Sequence, residues 1–280
     1  MREDKFVQVD GLRLHYRDFG GANLPALLFL HGLTGNAYCF DHVAPEFVDI
    51  CHVLALDFRG HGESDWHTSG DYAFQRHVGD ALALLAALEI RKVSLVGNSM
   101  GGAVAMVIAA IRPDLVERLV LNDIGPEINV AAPKDGPKPP NHLEMELRNI
   151  SEALECYKLS YPPVRNLPES IAAELVRNST RAGANGLLRW KTDPRVQAIA
   201  PSSSTSTSSP GMWPLFDAVK APILVIRGAE SDALSSSTVA RMVSRRSGIT
   251  AVEVPAVGHT PWLSEPEALA SLHKFLRDEV

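Results

Sequence analysis

Ser99 stands in Gly97-Asn98-Ser99-Met100-Gly101, between the apolar run Val93 to Val96 and the helical pattern Met100 to Ile111. A serine hydroxyl is a weak nucleophile at neutral pH, so it needs a base, and the base needs an acid to orient it. A sharp strand-to-helix turn between glycines would expose the hydroxyl at a helix N-terminus, whose free N–H groups favour a developing oxyanion. In this composition the five-residue pattern arises by chance in about one chain in ten, so its position after a strand carries the reading. The plainer alternative is a glycine-rich turn with a surface serine.

For the base, Gly258-His259-Thr260 follows the last strand-like run, where an imidazole could reach over a sheet edge. Of the ten histidines, only His259 and His273 lie beyond residue 142, and His273 falls in the final helical pattern. For the acid, Arg227-Gly228-Ala229-Glu230-Ser231-Asp232 follows the penultimate run, and Asp232 is the residue chosen. Asp123, just past the run Leu119 to Leu121, and Glu230 remain alternatives.

Other clusters read as structure. Arg59-Gly60-His61-Gly62 lacks the Gly-Lys-Ser/Thr ending of a P-loop and the Gly-x-Gly-x-x-Gly spacing of a dinucleotide site, and so reads as a turn. His61, Asp65 and His67 have no His-Glu-x-x-His or paired-cysteine spacing to support a metal. Neither a metal nor an organic cofactor is expected.

These groups must be positioned by a sheet. Phe6 to Val9, Asp10-Gly11 and Leu12 to Arg17 read as a hairpin, with Asp-Gly supplying the positive φ angles of a tight turn. Ala26 to Leu30, Val53 to Leu56, Val93 to Val96 and Leu119 to Leu121 are short runs without polar alternation, as in strands buried on both faces of a parallel sheet. Helical patterns at Ala73 to Leu88 and Met100 to Ile111 alternate with them, which makes an α/β chain. The alternation stops after Asp123. Pro133, Pro137, Pro139 and Pro140 forbid regular structure, helices are expected at about Asn141 to Leu159 and Pro168 to Thr180 with no strand, and Ser202 to Ser209 holds only serine and threonine, which predicts a loop. Strands return at Ile223 to Arg227 and Ala251 to Val254, and a last helix starts at Pro266. The core is thus 1–130 with 211–280, and 131–210 is an inserted helical lid.

Composition narrows the function classes. With 280 residues, 45% apolar and 21% charged, the chain is globular. A net charge of −6 and 6% aromatic residues give no basic, stacking surface for nucleic acid. Cys39, Cys51 and Cys156 are odd in number and unpaired in spacing, which fits a reducing compartment. Charges in Met1 to Phe6 interrupt any leader-like apolar run, and Ala103 to Ile111 is about half the ~20 residues a spanning helix needs. A cytoplasmic protein off the membrane is expected, acting on a small molecule, as a monomer or a homodimer.

The chain resembles the α/β-hydrolase-fold enzymes. The matching residues are Leu28-Phe29-Leu30-His31-Gly32-Leu33-Thr34-Gly35, Asp57-Phe58-Arg59-Gly60-His61-Gly62-Glu63-Ser64-Asp65, the turn around Ser99, Gly228 to Asp232, and Gly258-His259, in the family's order of nucleophile, acid and histidine. The resemblance implies a mostly parallel eight-stranded sheet with an inserted helical lid. It implies an oxyanion hole from the backbone N–H groups of Leu33 and Met100, with His31 and Gly32 supporting that loop. Serine at the turn sets the chain apart from the family's dehalogenases and epoxide hydrolases, which use aspartate there. Hydrolysis of a small-to-medium carboxylic ester or lactone is the favoured reaction. The runner-up is C–C hydrolysis of a ring-cleavage product, suggested by Gly97 to Gly102 but not by His31 to Gly35, which departs from the Ser-Gly-Pro-Gly wording of that group. A cofactor-free oxygenase or a non-catalytic binder on the same fold is a third class. Trp190, Trp213 and Trp262 are candidate pocket residues, and Arg181 or Arg189 could take a substrate carboxylate.

Overall fold

A computed structural model describes residues 2–128, 141–199 and 211–277. The Asp-Gly signal becomes a tight turn, with Asp10 at φ 49° and Gly11 at φ 77°, joining β1 (Glu3–Val9) to β2 (Leu12–Gly20) in antiparallel register. The unbroken apolar runs become β3 (Ala26–Leu30), β4 (His52–Leu56), β5 (Val93–Asn98) and β6 (Val116–Asn122). Alternate residues of one strand enter opposite cores. Leu28 and Leu30 pack into the cluster under α1 (Phe74–Ala87) and α2 (Met100–Ile111), while Leu27 and Phe29 pack into the cluster on the other face. Both faces are covered, which is why the runs carry no polar alternation.

The chain between β6 and the later strands departs from expectation in two places. Helix α3 spans Ile150–Ser160, not 141–159, because the Asn149 side chain accepts the Glu152 N–H and starts the helix there. Upstream, His142–Glu144 is a single 3-10 turn, and Leu147 bridges to Leu188. Helix α4 (Glu169–Ser179) is followed by a two-stranded antiparallel ribbon, β7 (Thr180–Ala182) and β8 (Leu188–Trp190), where no strand was expected. These strands are three residues each, too short for a period-2 pattern to register. The proline-rich stretch 131–140 and the Ser/Thr tract 202–209 lie outside the described residues.

After α5 (Trp213–Ala218) come β9 (Ile223–Gly228), α6 (Ser236–Arg245), β10 (Ile249–Val254) and α7 (Pro266–Arg277). The sheet has eight strands in the order β1-β2-β4-β3-β5-β6-β9-β10, parallel from β4 onward. All its strands come from residues 3–122 and 223–254. Among the described residues no helix is long and apolar enough to cross a membrane.

Candidate active site

Ser99 lies between the last residue of β5 and the first of α2, at φ 48° and ψ −114°. A non-glycine residue holds a positive φ at a cost of order 1–3 kcal/mol and only when its surroundings enforce it. Here the enforcing contact is steric. A Cβ on Gly97 would come within 2.4 Å of the Gly102 backbone, and one on Gly101 within 2.2 Å of the Leu30 carbonyl oxygen. Only glycine lets α2 sit that close to β3 and β5, and the closeness forces the sharp turn at Ser99.

His259 follows β10, with Nε2 3.0 Å from Ser99 Oγ and Nδ1 2.7 Å from Asp123 Oδ2. Asp123 follows β6 in the left-handed conformation, φ 55°, and is fully buried. Four donors converge on its carboxylate: the His259 ring, the Thr260 N–H at 3.1 Å, the Ser231 hydroxyl at 2.6 Å and the Gly228 N–H at 3.2 Å. The serine, imidazole and carboxylate thus form one hydrogen-bonded line.

The acid chosen from sequence, Asp232, is not part of this line. Asp232 and Glu230 are exposed, and their stretch reaches Asp123 through the Ser231 hydroxyl and the Gly228 N–H. The physical reason is the approach of two loops. A Cβ on Gly228 would fall 2.1 Å from the Gly258 carbonyl oxygen, so the histidine loop passes directly over the end of β9. That brings His259 toward the end of neighbouring β6 and leaves Asp232 outside.

The loop after β3 forms the other wall, with Gly32 packed against the Ser99 side chain. His31 is fully buried and its ring is fully used. Nε2 accepts the Phe58 N–H at 3.1 Å, which leaves the proton on Nδ1, and Nδ1 donates to the Gly32 carbonyl at 2.7 Å. The Gly35 N–H donates to the same oxygen at 3.1 Å. Gly32 C=O and Leu33 N–H belong to one planar trans peptide and point oppositely. Holding the oxygen therefore fixes the direction of the Leu33 N–H. Met100 opens α2, so its N–H is one of the first four of the helix, which lack an intrahelical acceptor.

Burial, reinforced by neighbouring His61, lowers the His31 pKa from 6.5 to about 3. A histidine lowered on folding stabilises the protein fully above its unfolded value and loses that contribution as pH falls toward the folded one. Between pH 6.5 and 3 the loss runs at about 1.4 kcal/mol per pH unit, so near 2 kcal/mol is gone at pH 5 from this group alone. His61 and His77, lowered first by burial, act in the same direction. His15 opposes them, burial lowering it but the Asp57 and Asp4 carboxylates together raising it further, and so does Asp41, which burial raises to about 6 and whose protonation favours the folded state as pH falls. Urea unfolding should show lower stability at pH 5 than at pH 7.5, and higher stability at pH 5 would contradict this balance of buried groups.

A cavity of about 280 Å³ opens over Ser99 and His259, lined also by Gly32, Leu33, Cys39, Asn98, Tyr157, Tyr161 and Trp262. Of the three tryptophans expected there, only Trp262 lines it. Trp190 is buried behind Tyr157, ring centroids 5.7 Å apart. Trp213 sits in the core beneath α2, donating to Glu127 and stacked by Arg241 and Arg245. Arg181 and Arg189 also lie elsewhere, Arg181 over Trp66 and Arg189 paired with Glu146. Tyr157 and Tyr161, which sequence reasoning missed, come from α3 and the residue after it. Their signal was an i, i+4 aromatic pair on a helix. The Tyr161 hydroxyl meets the Thr260 hydroxyl, tying the inserted segment to the histidine loop. A second cavity of about 280 Å³ lies on the other side of Cys39, against Arg2, Asp41 and Glu174, and includes none of these reactive groups. Among the described residues no cluster of three or more His, Cys, Asp or Glu could hold a metal ion.

Residues 27–272 match the alpha/beta hydrolase family, and the chain belongs to it. It is therefore a hydrolase. It is 33% identical over 276 residues to the 3-hydroxybutyrate-oligomer hydrolase of Cupriavidus necator, covering 94% of this chain and 92% of that one. It is 29% identical over 264 residues to the esterase Rv0045c of Mycobacterium tuberculosis, covering 92% and 84%. Among solved structures, an alpha/beta hydrolase from Novosphingobium aromaticivorans superposes with a TM-score of 0.82 at 32% identity, covering 98% of both chains.

Proposed function

We propose that this hydrolase cleaves small-to-medium carboxylic esters, with Ser99 as nucleophile, His259 as proton carrier and Asp123 as the orienting carboxylate. One observation carries the reading: Ser99 Oγ, the two His259 ring nitrogens and Asp123 Oδ2 are joined by contacts of 3.0 and 2.7 Å at the floor of a cavity.

His259 Nδ1 donates to Asp123, so Nε2 is the free base facing the hydroxyl. It takes the Ser99 proton as Oγ bonds to the ester carbonyl carbon. The oxyanion formed is met by the N–H groups of Leu33 and Met100, each worth about 3 kcal/mol in such a site. The imidazolium then protonates the departing alcohol, leaving an acyl group on Ser99. Water, deprotonated by the same Nε2, releases the acid. Asp123 compensates the transient charge on the ring, and its four donors hold it in place for that. The cavity walls from Leu33, Cys39, Tyr157, Tyr161 and Trp262 suit an uncharged acyl chain. Residues 141–199 serve as its cover through the two tyrosines. Two similar relatives bear the names of an oligomer hydrolase and an esterase, which supports an ester-type bond as substrate.

The test is p-nitrophenyl butanoate, a lactone and a ring-cleavage dienone offered in parallel, with methanol added to the ester reaction. Ester turnover with methyl butanoate formed alongside butanoate is expected, since methanol competes with water for the acyl-enzyme. Turnover of the dienone alone would overturn the ester reading in favour of C–C hydrolysis. Turnover of none would overturn the ester reading.

A further inference from the structure

The turn Arg59-Gly60-His61-Gly62 follows β4 and meets the loop that carries the Leu33 N–H. Its backbone closes on itself, the His61 N–H donating to the Phe58 carbonyl at 2.9 Å and the Gly60 N–H to the Asp65 carbonyl at 3.0 Å. The His61 side chain is fully buried and packs on His31, ring centroids 4.8 Å apart. Its Nε2 lies 2.6 Å from the Leu33 carbonyl oxygen and its Nδ1 2.9 Å from the Arg59 carbonyl oxygen. Both partners are carbonyl oxygens, which only accept, whereas a neutral imidazole carries one N–H. Burial outweighs these acceptors and lowers the His61 pKa, so at neutral pH the ring has a single proton to place. The shorter contact settles where it goes. With the proton on Nδ1, two lone pairs would face each other across 2.6 Å, so the proton sits on Nε2 and is donated to Leu33.

Leu33 is thus held from both sides. The peptide before it is fixed by the Gly32 carbonyl, which accepts from His31 and Gly35. The peptide after it is fixed by its own carbonyl on His61. A residue whose two flanking peptide planes are both fixed has no dihedral left to turn, and its N–H keeps one direction. We propose that His61 is a positioning residue for this hydrolase, whose Nε2–H holds the Leu33 carbonyl and so keeps the Leu33 N–H aimed at the oxyanion. This rests on the ester-hydrolase reading above, in which that N–H meets the oxyanion. A donor that needs no reorganisation as charge develops is worth about 10²–10³ in kcat, and one free to swing forfeits part of that. The loss falls on the transition state, since the ester in its ground state carries no full negative charge for the N–H to meet.

The experiment uses the reach of two amide side chains. The NH₂ of a glutamine can stand where the histidine Nε2 stood, whereas that of an asparagine reaches only the place of Nδ1. kcat and KM for p-nitrophenyl butanoate are measured in the wild type, His61→Gln and His61→Asn, with inhibition by butyl trifluoromethyl ketone and by butanamide. On the ketone, Ser99 Oγ adds to the carbonyl carbon, its proton passes to His259, and the carbonyl oxygen becomes an oxyanion. The expected result is that His61→Asn lowers kcat by about 10- to 100-fold with KM within about twofold, and weakens ketone binding by a similar factor while butanamide binds as before. His61→Gln should stay within about threefold of the wild type in all four. A merely structural role for the turn predicts that kcat follows the folded fraction and that the asparagine variant does no worse than the glutamine one, which would overturn the inference. If the wild type turns over no ester, it is the ester reading that fails, and ketone binding still tests His61. Should the variants not fold, nitrogen NMR of the wild-type histidines decides the point: a proton on His61 Nε2 supports the inference, and one on Nδ1 overturns it.

Discussion

Replacing Ser99 with alanine should lower kcat for p-nitrophenyl butanoate by about a million-fold, while the protein stays folded. The size of the loss follows from the covalent route. Without Oγ no acyl-enzyme forms, and His259 has no proton to take from a side chain. What remains is binding and two N–H groups aimed at the carbonyl, which alone give a residual rate of roughly 10³–10⁴ over water. The fold should tolerate the change. Alanine meets the same positive φ as serine, the strain at this position being set by the glycine contacts on either side. Among the described residues the one hydrogen bond removed is that to His259 Nε2, and a neutral hydrogen bond is worth about 1 kcal/mol net. Steady-state kinetics with a matched thermal melt checks both halves. More than about one per cent residual turnover would remove Ser99 from the nucleophile role.

Asp123→Asn should lower kcat by about ten thousand-fold, whereas Asp232→Asn should leave it within about twofold. The asymmetry is geometric. An asparagine at 123 can offer His259 an NH₂ in place of an acceptor, which places the ring proton on Nε2, where it faces Ser99 and cannot act as a base. Turning the amide the other way would restore that acceptor, but its negative charge would still be gone. Three further donors, from Gly228, Ser231 and Thr260, also lose a charged acceptor. Asp232 is exposed. The reverse ranking of the two variants, a large loss at 232 and a small one at 123, would return the acid to the loop after β9.

The β3 and α2 boundaries and the start of β5 were readable because local chemistry and burial agree there: runs apolar on both faces and a helix that starts at the turn; β5 runs two residues past the apolar stretch, to Asn98. The pair of Ser99 and His259 was readable because each follows a strand, and a residue just past a parallel strand's C-terminal end lies at the mouth of the sheet. The carboxylate that meets His259 was not readable to the same depth. Asp123 and Asp232 both follow parallel strands that are neighbours in the sheet. The choice between them depends on where the histidine loop crosses, and that is decided by a glycine contact between residues 228 and 258, far apart in sequence. Trp213 failed as a pocket residue for a similar reason, since the direction of α5 and the Glu127 contact are tertiary facts. Tyr157 and Tyr161 were not singled out in the sequence, because what brings them to the cavity is a tertiary contact, Tyr161 against Thr260.

The most direct measurement is peptide mapping after reaction with a fluorophosphonate, which bonds only to an activated hydroxyl. One adduct per chain is expected, on Ser99, formed at the same rate in Asp232→Asn as in the wild type and far more slowly in Asp123→Asn, in keeping with the Ser99–His259–Asp123 line. An adduct on another residue, or none on a folded chain that hydrolyses esters, would contradict it.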